Sequence, residues 1–129
     1  MCVRPFHPLA RSHAWATLPD RIDALSLGDP ALAVDIMRLF VETNRSTLAT
    51  MTCAQRNNAW DELRCAVHRL NGSLRMLGAS HAARCTEQLE QAANTRDFVA
   101  IDALMPIVST LVDELNEALE RLLERLPVF

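Results

Sequence analysis

Apolar residues recur at every third or fourth position along most of this chain, and that spacing restricts what the chain can fold into. The clearest case is the segment 57–78, whose apolar face would carry Trp60, Leu63, Val67, Leu70, Leu74 and Leu77. No segment shows the alternation of a half-buried strand. With 129 residues, half of them hydrophobic, and only three glycines, the sequence predicts one helical domain.

The chain before this segment predicts one long helix and one short one. Asp29 followed by Pro30 is typical of an N-cap and a first helical residue, so a long helix should begin there and extend to about Cys53. Its predicted apolar face consists of Leu32, Ile36, Phe40, Leu48 and Met51. A short amphipathic segment from Asp20 should precede it and end at Gly28, with an apolar face of Ile22, Leu25 and Leu27.

Two more helices should follow the 57–78 segment. Ser80 is placed to cap the first of them, whose stripe of mostly small residues is Ala82, Cys85, Leu89, Ala92 and Ala93. The second should extend from Asp97 to about Leu126, with a kink or break at Pro106. Because short turns force successive amphipathic helices together, we expect an antiparallel up-down four-helix bundle with a short extra N-terminal helix.

Composition indicates where the domain begins, which partners are excluded and which cellular compartment the chain fits. Residues 1–19 contain three of the six prolines without a sustained period, so they predict a linker, with the bundle spanning 20–129. The thirteen basic residues are all arginines, scattered over a chain of net charge −3, which argues against a nucleic-acid partner. No apolar run is long enough to span a bilayer, and four cysteines without a CxxC pair favour a reducing compartment.

The 57–78 helix also carries the main candidate functional residue. On a helical wheel His68 falls about 100° from Val67, outside the apolar stripe, so its imidazole should face solvent. Gly72 follows one turn later and costs about 1 kcal/mol relative to alanine inside a helix, a cost that close approach by another molecule would explain. The polar side chains that flank the histidine on the wheel are Asp61, Arg64, Asn71 and Arg75.

The run from His68 to Gly78 resembles the signature of histidine-containing phosphotransfer (Hpt) domains. The residues that match this signature are His68, Leu70, Gly72, Ser73 and Gly78. The layout of the remaining helices is also similar, over about residues 20–126. The family usually has a lysine three residues after the histidine, whereas this chain has Asn71 there and no lysine anywhere.

The resemblance implies a phosphocarrier rather than an enzyme. His68 would accept a phosphoryl group from the aspartate of a receiver domain and pass it to another receiver. Asn71 and Gly72 would border the phosphoryl group, and Arg75 and Arg64 would supply the charge of the missing lysine. No cofactor or metal would be needed on this side, because in the family the receiver domain holds the Mg²⁺.

The resemblance and the proline-bearing leader together imply a setting for the module. We expect the C-terminal part of a hybrid sensor histidine kinase, in the cytoplasm, at the cytoplasmic end of an inner-membrane sensor. Its partners would be the receiver domains of the same kinase and of a response regulator, with no direct membrane contact. Met76 and Met37 are candidates for the docking surface, whereas Gly78 fits a helix C-cap and Ser73 a packing residue.

Two alternatives stay open at this point. One is a helical interaction scaffold that has the Hpt fold without phosphotransfer. The other is a metal site formed by Cys65, His68, His81 and Cys85. The hairpin register argues against the metal site, since His68 should lie opposite about residue 90, leaving Cys85 and His81 displaced by roughly 7 and 13 Å along the helix axis.

Overall fold

In the computed structural model of the chain, the described residues are all-helical, as the sequence predicts. The structure describes residues 15–126, and these form five α-helices and no strand: α1 (Leu18–Leu25), α2 (Pro30–Arg56), α3 (Trp60–Met76), α4 (Ser80–Thr95) and α5 (Phe98–Arg125). Most of the predicted linker, residues 1–14, and the last predicted bundle residues, 127–129, lie outside the described residues. No helix within residues 15–126 is long and apolar enough to cross a membrane.

The four long helices contact one another in chain order, and the last returns to the first. Contacts join α2 to α3, α3 to α4, α4 to α5 and α5 to α2, while α1 contacts α2. Between α2 and α5, Arg45 pairs with Glu120 and Gln55 with Asp102. Because residue numbers rise on one helix as they fall on the other, these two helices run in opposite directions.

The predicted apolar stripe of α3 forms the centre of the core. Leu63, Val67 and Leu74 are completely buried, and Leu70 is only 1% exposed. Burying one such side chain stabilises the fold by about 1.5–3 kcal/mol. In α5, Ile101, Val108, Leu115 and Leu119 are also completely buried and belong to the same hydrophobic core. The core therefore fixes which side of α3 is left for solvent.

The buried face of α2 matches the predicted one only in part: Met51 is completely buried, and the partly buried Ile36, Phe40 and Leu48 pack against the core. Leu32 is 39% exposed, while the buried residues are Ala33, Met37, Val41, Asn44, Thr47, Met51 and Ala54. Asn44 is completely buried because its amide is paired on both sides: Nδ2 donates to Asn116 Oδ1 at 3.2 Å, and Oδ1 accepts from Ser73 Oγ at 2.9 Å. Polar residues in the buried stripe interrupt the apolar period and shifted the prediction to the neighbouring face.

The helix ends confirm two predictions and contradict one. Asp29 caps α2, since its carboxylate accepts hydrogen bonds from backbone N–H groups of the first turn at 3.0 and 3.4 Å. Gly78 ends α3 with a φ of +71°, and the next N–H bonds back to Leu74 at 3.0 Å. Ser80 is not a cap: Ala79 holds that position without a side-chain bond, and Ser80 is the first helical residue.

Two further details of the helices differ from expectation. Pro106 does not break α5, which continues from Phe98 to Arg125, because Met105 and Val108 anchor both sides of the exposed proline in the core. Leu27 is not part of the apolar face of α1. It is 87% exposed and has a φ of +55° in the turn that leads to α2.

Candidate functional site

His68 lies on the solvent side of α3, where the helical wheel places it. Its side chain is 72% exposed, while its neighbour Val67 is completely buried. The packing of α3 against the core therefore fixes the direction in which the imidazole projects. A histidine held this way can be reached by a macromolecule without any change in the fold.

The imidazole is fixed by a contact that the sequence analysis did not include. His68 Nδ1 lies 2.9 Å from Glu90 Oε2 on α4. In a neutral imidazole only the nitrogen that carries the proton can donate to a carboxylate, so this contact assigns the proton to Nδ1 and the lone pair to Nε2. Among the described residues, no hydrogen-bond partner reaches Nε2. In the neutral ring, Nε2 is therefore the nitrogen with the lone pair, and it is accessible.

Glu90 was within reach of sequence reasoning. The hairpin register predicted that His68 would lie opposite about residue 90, and the structure confirms that register. The sequence has a glutamate at that position. The helical wheel of α3 offers only one carboxylate beside the histidine, Asp61, but it is Glu90 of α4 that contacts the ring, while Asp61 lies 3.4 Å from Arg96.

Arg75 lies in the same cleft and is held by two contacts. Its Nη2 donates to Glu87 Oε2 at 2.7 Å, and its Nε donates to Asn71 Oδ1 at 3.3 Å. Asn71 is itself only 8% exposed, so it does not stand free beside the histidine as a lysine side chain would. Its amide instead fixes the direction of the Arg75 guanidinium.

The cleft brings all the sequence-predicted site residues except Gly72 into one lining. Its residues are Arg64, His68, Asn71, Arg75, Glu87, Glu90, Gln91 and Asn94. Arg64 is half-buried, and its Nη2 lies 3.8 Å from Cys65 Sγ. Two arginines and two glutamates share this lining, so their formal charges cancel.

Gly72 borders the histidine one helical turn later and leaves open space. A Cβ at this position would meet no atom of the described residues within 4 Å, outside the backbone of its own helix. The packing of the chain therefore does not require glycine here. Since glycine weakens a helix by roughly 0.5–1 kcal/mol relative to alanine, the residue is better explained by a molecule that approaches the helix beside His68.

The structure shows which of the other residues singled out in the sequence are exposed and which are buried or packed. Met76 is 53% exposed and can contribute to a docking surface, whereas Met37 is 1% exposed and was wrongly placed there. Ser73 packs against α2 through its bond to Asn44, as expected.

For the metal alternative, residues 15–126 contain no group of three or more His, Cys, Asp or Glu side chains arranged to hold a metal ion.

Comparison with known protein families gives one decisive finding. A sequence model of the Hpt domain family matches residues 35–125, which is more than half of the chain. This chain belongs to the Hpt domain family. Hpt domains are phosphocarriers of two-component phosphorelays rather than enzymes, and they interact with receiver domains. The match covers the whole His68 cleft of this Hpt domain, but α1 lies before it. Neither the curated proteins nor the solved structures gave a match.

Proposed function

We propose that this Hpt domain carries a phosphoryl group on Nε2 of His68, accepting it from the aspartate of one receiver domain and passing it to another. The observation that carries the proposal is the contact between His68 Nδ1 and Glu90 at 2.9 Å on a side chain that is 72% exposed. In the neutral ring this contact places the proton on Nδ1, so the lone pair of Nε2 is open to a partner. An exposed histidine without it would have no fixed orientation.

The proposed step follows from the state of the two ring nitrogens. The Nε2 lone pair attacks the phosphorus of the aspartyl phosphate, the bond between phosphorus and the aspartate oxygen breaks, and the carboxylate leaves. The proton stays on Nδ1, so the phosphorylated ring is positively charged. Glu90 stabilises that charge across the 2.9 Å contact. Transfer to the second receiver is the reverse reaction with a new aspartate.

The residues around His68 have separate roles in this proposal. Gly72 leaves room for the receiver beside the ring. Arg75 and Arg64 supply positive charge for phosphoryl oxygens in place of the missing lysine, and Asn71 orients Arg75 through the bond to its Nε. Mg²⁺ is expected on the receiver domain.

The setting of the domain is part of the same proposal. We place it in the cytoplasm as a module of a hybrid sensor histidine kinase, with partners in the receiver of that kinase and in a response regulator. The four long helices are taken as the up-down bundle that the sequence predicts. The contacts between successive helices and the opposite directions of α2 and α5 support this arrangement.

The test is transfer of radiolabelled phosphate from phosphorylated receiver domains of the source organism to this domain. Wild type should acquire acid-labile label, and His68→Gln should acquire none. His81→Gln is the matched control, since His81 is an exposed histidine on α4 outside the cleft lining, and it should behave as wild type. Receiver binding without label on the wild type would contradict the proposal and favour the scaffold alternative.

A further inference from the structure

A second cleft lies at the end of α3, next to the one that holds His68. Its lining consists of Arg21, Arg75, Gly78, Ser80, Ala83 and Arg84. All three ionisable residues in this set are arginines. The two clefts share Arg75, so they form one continuous surface on the side of α3 and α4.

Arg21 reaches this cleft from α1 across the turn between α3 and α4. Its Nε and Nη2 lie 3.1 Å from the position that a Cβ of residue 78 would occupy. Gly78 therefore has two effects: it adopts the left-handed backbone of the turn, and it leaves space for the guanidinium to lie against the chain. Because α1 precedes the part of the chain that matches the family, this arrangement depends on a helix outside that match.

The positive charge of this cleft is not neutralised from within. Among residues 15–126, neither Arg21 nor Arg84 forms an ion pair with a carboxylate, and only Arg75 has one, with Glu87. The whole chain has a net charge of −3, so this concentration of arginine runs against its overall charge. Like charges placed together repel one another, and an anionic partner would relieve that repulsion.

The position of the cleft indicates which partner would meet it. Gly78 lies ten residues after His68, and ten residues along a helix correspond to about 15 Å. A specific protein interface covers about 800 Å² on each partner, which extends roughly this far from its centre. A protein that docks over His68 therefore reaches the arginines at the edge of its footprint.

We propose that the cleft formed by Arg21, Arg75 and Arg84 binds carboxylate side chains on the surface of the receiver domain that docks on His68. The proposal rests on the phosphocarrier function and adds a recognition contact to it. The arginines attract and orient the receiver, whereas the chemistry stays at His68. Opposite charges at the rim of an interface act mainly on the association rate and lose their effect as salt increases.

The test compares charge reversals at two arginines with a reversal elsewhere. The variants are Arg21→Glu and Arg84→Glu, and the control is Arg56→Glu, an exposed arginine that ends α2, four residues before α3 begins and so away from the cleft at the end of α3. The donor is the phosphorylated receiver domain that labels wild-type His68. At 50 mM salt the second-order rate constant for transfer should fall about fivefold in both variants, with the rate of transfer within the bound complex unchanged, and the difference should vanish at high salt. Arg84→Lys should retain the wild-type rate.

A second donor separates docking from chemistry. Phosphoramidate, a small phosphoryl donor that needs no docking surface, should label wild type and both variants equally. If the variants match Arg56→Glu with the receiver donor, the proposal is overturned while the phosphocarrier function stands. If phosphoramidate labelling falls in parallel, the arginines act on the chemistry and the docking role is also overturned. If no receiver labels the wild type, the phosphocarrier function fails and the docking role with it.

Discussion

The two clefts on the α3–α4 side differ in charge although they share Arg75. Around His68, two arginines face two glutamates, and both glutamates hold a functional side chain: Glu90 the imidazole and Glu87 the Arg75 guanidinium. At the end of α3 no acidic residue enters the lining. The difference separates two tasks. Geometry is fixed where the phosphoryl group would be transferred, and unpaired charge is left where a partner would be attracted.

The two glycines of this surface show the same contrast in the backbone. Gly78 has a φ of +71°, which favours glycine, and a Cβ there would also crowd the Arg21 guanidinium. Gly72 is inside the helix and faces open space. One glycine is explained by the fold of this chain, and the other only by a molecule that comes close to it.

The largest expected effect comes from filling the space beside His68. Gly72→Leu places a side chain where the receiver would approach, and a misplacement of 1 Å at a reacting centre can cost about a hundredfold in rate. We therefore expect transfer from the receiver to fall about a hundredfold while the thermal unfolding temperature does not decrease. Circular dichroism and the transfer assay measure the two quantities. Unchanged transfer would mean that no partner approaches at Gly72.

A smaller loss is expected when the imidazole loses its carboxylate. Glu90→Ala removes the acceptor of the Nδ1–H bond, and we expect transfer to fall about tenfold, by analogy with the loss of a carboxylate that orients a metal-bound histidine. Glu90→Gln keeps an acceptor oxygen and should lose about twofold. Single-turnover transfer rates distinguish these variants. Equal rates for alanine and glutamine would show that the 2.9 Å contact does not orient the ring.

The two glycines should respond to alanine with opposite signs in stability. Gly78→Ala forces a left-handed conformation on a residue with a Cβ, which costs about 1–2 kcal/mol, and it also displaces Arg21. Gly72→Ala should raise the free energy of unfolding by roughly 0.5–1 kcal/mol because alanine favours the helix. Urea denaturation followed by circular dichroism measures both. A loss of stability in both variants would remove the distinction drawn between them.

The smallest effects are expected at the two arginines proposed to replace the lysine. Arg75→Gln and Arg64→Gln should each reduce labelling of His68 by phosphoramidate about threefold. Each variant loses one charged hydrogen bond to a phosphoryl oxygen, but the remaining arginine and water partly compensate for it. Arg69→Gln is a control on the same helix, outside the cleft lining. A control that slows labelling as much as the other two would indicate a general effect of charge.

Much of the fold follows from the sequence, and the exceptions have physical causes. Apolar spacing located the four long helices, and the Asp29 and Gly78 signals fixed two of their ends. The face of α2 was predicted only in part because Asn44 and Thr47 occupy buried positions. Pro106 does not end α5 because its missing N–H lies on an exposed side of a helix that is anchored in the core on both sides of the proline.

The candidate site also has features that the sequence predicts and features that it does not. The exposure of His68, the presence of Arg64 and Arg75 on its side, and the hairpin register are local or periodic properties that one helix and one turn determine. Glu87, Glu90 and Arg21 come from other helices, and their contacts depend on how those helices pack. Glu90 could have been found by reading the residue at the predicted register, whereas nothing in the sequence places Arg21 against Gly78.

The most direct test of the central claim is to identify the phosphorylated atom. Nuclear magnetic resonance of the ¹⁵N-labelled domain after transfer from a receiver distinguishes phosphate on Nε2 from phosphate on Nδ1. Because Glu90 holds Nδ1 and leaves Nε2 open, the signal should show phosphate on Nε2 of His68 alone. Phosphate on Nδ1, or on any other residue, would contradict the account of this cleft.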